Sequence, residues 1–355
     1  MSPAAPRGAG PAVAPRLSVV VAAYNAAATL GVLLDSLCRS RFQDFEVCLC
    51  DDGSADGTRR VAEAYAGRLT LRLAVQAANQ GMTRARNKAL ALARAPLLLF
   101  LDADVRLQPD TMDRLLERLE RSGAAAVDGI YSDRALDPGL FSDYYALFAH
   151  HSFLLGGVVP RYNVFNSWCA LARREALAAV GGYPEMPKEM DVENESLGRR
   201  LAARGFAIVL EPAIAVDHHW GGWRKLVHRF TNRVYWWVKI YFASDCRFEA
   251  ALTTRLYALG TAALPAAGLV LLLGGGRPAT GAAAGAGAAV FLWVYAPFYA
   301  FVWRRRGALF LLWSLLLSAA SSVLVSASAA YSAAEELGRL LARGRPTLDP
   351  EALAR

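Results

Sequence analysis

Residues 97–101 form an apolar run that ends in Asp102-Ala103-Asp104, and two carboxylates placed this way repel each other unless a cation sits with them. A hard divalent ion, Mg2+ or Mn2+, meets that need, because such ions take carboxylate and phosphate oxygens together. A second apolar run, 45–50, leads into Asp51-Asp52-Gly53-Ser54 and then Asp56-Gly57-Thr58. Taken alone, that segment reads as a turn and helix cap, since Asp and Ser accept backbone hydrogen bonds and Gly relieves φ. Between the two runs lies Asn79-Gln80-Gly81-Met82-Thr83-Arg84-Ala85-Arg86-Asn87. It is a glycine turn opening a helix, a place that welcomes anions and from which Arg86 can reach a phosphate or a base.

The elements that must carry these residues alternate in period. Strands are expected at 17–23, 45–50, 71–75 and 97–101, and helices at 28–38, 57–65 and 81–93. This order predicts an α/β fold with a mostly parallel sheet covered by helices on both faces, and ligands in such sheets lie at the carboxyl ends of the strands. Neither Gly-x-Gly-x-x-Gly nor Gly-x-x-x-x-Gly-Lys-Ser/Thr is present, so any nucleotide is held another way. Further on, an aromatic helix at 139–155 carries His150 and His151, assigned to packing or acceptor shaping. A helix at 170–178 follows Trp168, a residue equally suited to a site wall or a core. A strand at 213–216 precedes His218 and His219, either of which could touch a metal or diphosphate.

The chain has 355 residues, 55% of them hydrophobic, above the roughly 45–50% usual for globular proteins, and this excess argues for membrane contact. It is concentrated beyond Leu256, where 256–273, 279–303 and 307–334 carry no charge. A span needs roughly 20 apolar residues, so three crossings are expected, the first short and holding Pro265. Arg304, Arg305 and Arg306 between the second and third runs place the N-terminal region in the cytoplasm, while the basic tail, 335–355, fits three crossings poorly. The stretch 218–255 mixes Trp and Tyr with Arg and Lys and reads as interfacial helices lying among lipid headgroups, in preference to a nucleic-acid surface. Residues 1–16 read as a loose leader. The formal charge of +8 suits anionic lipids or phosphorylated substrates. The five cysteines, Cys38, Cys48, Cys50, Cys169 and Cys246, show no chelating or disulfide spacing, which points to a reducing compartment.

Leu-Ser-Val-Val-Val-Ala-Ala-Tyr-Asn at 17–25, Asp-Asp-Gly-Ser at 51–54, the Asn79 to Asn87 segment, Asp-Ala-Asp at 102–104 and Ala-Ala-Val-Gly-Gly-Tyr-Pro-Glu at 178–185 occur in that order. Together they resemble the successive signatures of family 2 inverting glycosyltransferases of the GT-A fold, over about residues 17–220. The resemblance implies a nucleotide-diphosphate sugar donor, by the family's habit UDP-linked, and Mn2+ or Mg2+. It implies that Tyr24 stacks on the base, that Asp51 or Asp52 binds the base edge, that Arg86 helps hold the nucleotide, that Asp102 faces the ribose and metal region, and that Asp104 ligates the metal. In the family a Glu-Asp pair supplies the catalytic base. Here the matching stretch is Glu193-Asn194-Glu195, and an amide cannot accept that proton, so Glu193, or Asp191 close behind it, is expected to take over. The expected activity is transfer of a sugar to a lipid or lipid-linked acceptor at the membrane surface. A processive polysaccharide synthase lacks support because no Gln-x-x-Arg-Trp is found, and a degenerate membrane scaffold is kept open by Asn194.

Overall fold

The computed structural model describes residues 14–243, 255–275, 277–343 and 346–348. Most of the expected leader, Cys246, the end of the interfacial stretch and part of the tail lie outside the described residues. The first half runs β1 (Leu17–Ala23), α1 (Leu30–Cys38), β2 (Phe45–Asp51), α2 (Thr58–Glu63), β3 (Leu71–Val75), α3 (Met82–Leu92) and β4 (Leu97–Asp102), matching the expected order to within two residues at most ends. These four strands pair in parallel in the order β3-β2-β1-β4. The residues of β1 and β2 are almost all buried, as continuous apolar strands covered on both faces must be.

The second half follows as β5 (Val105–Arg106), α4 (Thr111–Ser122), β6 (Ala126–Ala135), α5 (Leu140–Leu154), β7 (Val159–Tyr162), β8 (Ala170–Arg173), α6 (Arg174–Ala179), α7 (Glu193–Ala203) and β9 (Ile208–His218). It extends the sheet as β4-β8-β6-β9-β5, with β7 also on β9. Here β8 runs antiparallel to β4 and to β6, so the sheet is mixed. The helix expected at 170–178 is therefore corrected. Its first four residues are a strand, because insertion between β4 and β6 satisfies their backbone groups and overrides alanine's local preference for helix. The last strand is also longer than expected, reaching from Ile208 to His218.

Beyond the sheet come α8 (Trp223–His228), a π-helical turn (Arg229–Arg233), α9 (Val234–Ala243), α10 (Arg255–Leu273) and α11 (Pro278–Arg343). Two helices, α10 and α11, are long and apolar enough to cross a membrane. α11 is broken at Gly307, whose φ of 78° is left-handed. Its first part, 278–306, returns antiparallel along α10, with Gly260 facing Val294, Gly287 facing Ala263 and Ala267, and the Thr261 and Tyr295 hydroxyls 2.9 Å apart. This return brings Arg305 to 2.9 Å from Asp133 and Arg306 to 3.2 Å from Asp143.

The third run expected as a span does not stand apart from the domain. Trp313 donates to the Leu140 carbonyl at 3.0 Å and Ser318 meets the Tyr144 hydroxyl at 2.9 Å. Further along, Ser328 and Ser332 donate to the Thr231 and Tyr235 carbonyls at 2.7 and 2.8 Å, and Glu336 accepts from buried Lys239 at 2.8 Å. Its serine face thus lies against the protein while Leu309, Leu312, Leu316 and Tyr331 face outward.

Where α5 meets this layer, His151 packs its ring 5.6 Å from Phe298 and 5.3 Å from Phe301. Burial, aided by His150 and Arg304, lowers its pKa from 6.5 to about 4. The unfolded chain therefore takes up a proton, as pH falls below 6.5, that the folded chain refuses until about 4, and stability drops across that window by up to about 3 kcal/mol. Thermal unfolding between pH 7 and pH 4 is expected to show this loss, and His151→Phe is expected to flatten it.

Candidate active site

The register of the parallel strands decides what gathers at their carboxyl edge. Ala23 lies beside Asp51, and Ala22 beside Asp102, so the residues following β1, β2 and β4 share one rim. The loops after β1 and β2 are tied together: Asn25, itself at φ 47°, accepts from the Ala55 amide at 3.0 Å and donates its own amide to Ser54 at 2.9 Å. This leaves the Tyr24 ring 49% exposed, an open aromatic face at the rim.

The two adjacent aspartates divide their work. Asp52 accepts from the Gln76 side chain at 2.6 Å and from the Gln80 and Gly81 amides at 2.8 and 2.9 Å, so its carboxylate is spent latching the loop that opens α3. A side chain at Gly53, with φ 71°, would strike the Ala78 backbone at 2.5 Å, so this latch requires glycine. The Asp51 carboxylate accepts only from the Ser54 amide, at 3.0 Å, among the described residues. Of the pair offered for the base edge, Asp51 has the carboxylate oxygen to spare.

Arg86 sits in the second turn of α3 and is only 3% exposed. One terminal nitrogen donates to Glu193 and the other to Asp102, both at 2.8 Å, and the guanidinium stacks 5.3 Å from the Tyr183 ring. It is thus a bridge between two carboxylates, a geometry that the fork of an arginine matches. Burial raises the Glu193 carboxyl above its ordinary range, against the pull of Arg86. Asp191 is half-buried and makes no side-chain hydrogen bond or ion pair among the described residues. Asn194 is buried beside them with its side-chain oxygen unpartnered. All three line one cavity of about 530 Å³, together with Asp102, Asp104 and His218.

Burial would raise the Asp104 carboxyl, but His218, with Nε2 3.3 Å from Oδ1, and then Arg229 and Lys225, bring it down to about 2. His219 turns the other way: its amide holds the Asp104 carbonyl at 3.0 Å, while its ring lies 3.9 Å from Asp137. Among the described residues, no group of three or more His, Cys, Asp or Glu side chains could hold a metal. An oxygen and an imidazole nitrogen, from Asp104 and His218, nevertheless face one cavity, and this pair fits a divalent ion that draws its remaining ligands from a diphosphate and water.

An aromatic wall closes the site. Tyr131 stacks on Trp168 at 4.4 Å and meets His218 and Trp220 edge-on, each at 4.7 Å. His150 bonds the Tyr131 carbonyl at 2.8 Å, so its role is to position this wall. Tyr131 escaped the sequence reading because it ends no apolar run and stands in no motif. The one signal was its place near the carboxyl end of a strand, visible only once β6 is in the sheet.

With this geometry in place, the comparisons become informative. Residues 18–181 match the family described as Glycosyl transferase family 2. This region is similar to family 2 glycosyltransferase domains. The domain is 42% identical over 105 residues to the validoxylamine A glucosyltransferase of Streptomyces hygroscopicus subsp. jinggangensis, 29% of this chain and 25% of that one. It is 39% identical over 104 residues to the PGL/p-HBAD biosynthesis glycosyltransferase of Mycobacterium bovis, 29% of this chain and 41% of that one. The match thus spans well under half the length of either relative. Among solved structures, the mannosyltransferase PcManGT from Pyrobaculum calidifontis, in complex with GDP-Man and Mn2+, aligns over 86% of this chain and 88% of its own, with a TM-score of 0.61 at 23% identity. That likeness concerns the fold, which is GT-A-like, and it extends past the glycosyltransferase domain into the C-terminal helices.

Proposed function

We propose that the chain is an inverting glycosyltransferase that moves a sugar from a nucleotide-diphosphate donor to a lipid or lipid-linked acceptor at a membrane surface. The observation that carries this reading is one cavity holding Asp102 and Asp104 from the strand rim on one side and Arg229 and Arg233 from the membrane-proximal helices on the other. Tyr24 stacks on the base, and Asp51 accepts from a base N–H, a pairing suited to the uracil edge. Asp104 and His218 are the residues that would hold a divalent ion, which would supply positive charge against that of the departing diphosphate; Mn2+ in PcManGT is in keeping with this. Arg86 fixes Asp102 and Glu193. An acceptor hydroxyl would surrender its proton to Asp191, which faces the cavity without a partner, because Glu193 already binds Arg86.

We further propose two crossings, α10 and 278–306, with 308–343 lying along the domain in the lipid interface. This arrangement returns Arg304, Arg305 and Arg306 and the basic tail to the side of the domain, the cytoplasmic one, and removes the conflict that three crossings create. Purified full-length protein with a panel of nucleotide sugars and Mn2+ is expected to release nucleoside diphosphate only when a lipid extract is added. One sugar per acceptor is expected. Release at the same rate with a soluble sugar acceptor and no lipid would sink the lipid part, and polymer would favour a processive synthase.

A further inference from the structure

A second cavity, about 350 Å³ and mostly apolar, lies between α5, the Arg229–Arg233 turn, α9, α10 and the 308–343 segment. It is within the usual size of a ligand site. Its walls include Phe148, Tyr257, Thr261, Tyr295, Val325 and Ala329, residues of the helices that bear the chain's outward apolar surface. Four residues, Tyr131, Trp168, Arg229 and Arg233, line both this cavity and the catalytic one. An apolar chamber and a polar one therefore share a boundary, and that boundary carries two cations.

The two arginines of this boundary differ in what they hold. Arg233 is tied to Glu195 at 3.1 Å, and Trp237 supports the same carboxylate oxygen at 2.9 Å. Arg229 stands differently: it stacks against Tyr145 at 5.1 Å and Trp220 at 5.0 Å, and among the described residues no carboxylate pairs with it. Trp168 is 4% exposed, and its indole nitrogen has no hydrogen-bond partner. A guanidinium with no carboxylate at ion-pair distance among the described residues and a buried N–H without an acceptor, both on the walls that the two cavities share, can each take an anionic oxygen.

Asn194 adds a chemical constraint. An acceptor hydroxyl needs a base, a part that Asn194 cannot play and that falls to Asp191, whereas a phosphate monoester, with its second pKa at about 6, is already dianionic at neutral pH and needs none. We infer that the acceptor is a lipid monophosphate, its apolar chain in the second cavity and its phosphate at Arg229 and the Trp168 N–H; this rests on the transferase reading above. A phosphate oxygen attacks C1 of the sugar, and the bond from C1 to the diphosphate oxygen breaks with its electron pair leaving on the diphosphate. The acceptor dianion becomes a diester monoanion, the nucleoside diphosphate carries away the extra charge, and no proton moves. An amide at 194 is then no defect, since it spares the incoming phosphate a like-charged neighbour.

The test uses the full chain with phytanyl phosphate, phytanol and ethyl phosphate, which share the chain or the head alone. Phytanyl phosphate is expected to bind and to accept sugar. Phytanol and ethyl phosphate are each expected to be at least a hundredfold poorer. Val325→Trp and Ala329→Phe, which fill the apolar cavity from different turns, are expected to raise the KM and Kd for phytanyl phosphate tenfold or more, with the donor KM within twofold. Arg229→Ala is expected to raise the KM and Kd for phytanyl phosphate tenfold or more, with partial rescue by Arg229→Lys. Equal use of phytanol overturns the phosphate, equal use of ethyl phosphate overturns the chain site, and unchanged phytanyl phosphate affinity in both cavity variants overturns the cavity. Binding that is sensitive to Val325→Trp but accompanied by no turnover of any donor would uphold this site and sink the transferase reading instead.

Discussion

Arg86→Ala destabilises the protein by about 3–5 kcal/mol, the cost expected when one partner of a buried ion pair is removed and the other is stranded. Arg86 is nearly inaccessible, and among the described residues the two carboxylates it bridges, Asp102 and Glu193, meet no other opposite charge at hydrogen-bond distance. At roughly 2–4 °C per kcal/mol for a domain of this size, thermal unfolding in detergent should shift down by about 6–20 °C. Arg86→Lys recovers only part of this, because an ammonium cannot present two parallel donors to two carboxylates. The double variant Arg86→Ala with Glu193→Gln is expected to be more stable than Arg86→Ala alone, since the stranded charge has gone. The pH dependence has a definite sign. With Arg86 absent, burial holds the Glu193 carboxyl above its unfolded value, so the folded state binds the proton more tightly and stability recovers as pH falls. An Arg86→Ala protein as stable as the parent at pH 7 would show that this bridge is not what joins α3 to α7.

The bridge also shows which parts of the site the sequence could disclose. Asp51, Asp52, Asp102 and Asp104 were legible because each terminates an apolar run, and in a parallel sheet the ends of such runs converge. Their division of labour was not. Nothing in Asp-Asp-Gly-Ser says that the second carboxylate will be consumed by three donors of the 76–81 loop, since those donors arrive only when β3 is seated beside β2. Arg86 read as a nucleotide contact because a basic residue near a helix start usually faces solvent or ligand. Its partner Glu193 is 107 residues away in sequence, and only the packing of α7 over α3 reveals that the guanidinium is already occupied.

The same reasoning accounts for the helices. Charge-free length identified three runs, and two of them pair as length predicts. Length cannot register that Ser314, Ser318, Ser328 and Ser332 recur on one face of the third, and it is this face, not hydropathy, that lays 308–343 along α5 and α9. The strand at Ala170–Arg173 was hidden for a related reason: four residues of helix-favouring composition become a strand because two neighbours offer unpaired edges on either side.

Asp104→Asn separates chemistry from stability, as Arg86→Ala cannot. The Asp104 side chain meets His218 alone among the described residues, at 3.3 Å, and the contact that holds the backbone, from the His219 amide to the Asp104 carbonyl, survives the substitution. The shape is kept, so the unfolding temperature should move by only a few degrees. Turnover should fall by about 10²–10³, corresponding to roughly 2.7–4 kcal/mol, the range seen when one group that stabilises charge in the transition state is removed. The loss belongs in kcat, because the diphosphate gains charge only as the bond to C1 breaks, and a group that acts mainly there leaves ground-state donor binding less affected. The dependence on added Mn2+ should move to higher concentration by at least tenfold, since the remaining ligand from the protein would be a single imidazole. Nucleoside diphosphate release, measured across a metal titration, reads both quantities. If turnover and metal dependence are unchanged, Asp104 is only the electrostatic partner of His218, and the diphosphate must be neutralised by other cations of the same cavity, such as Arg229 and Arg233.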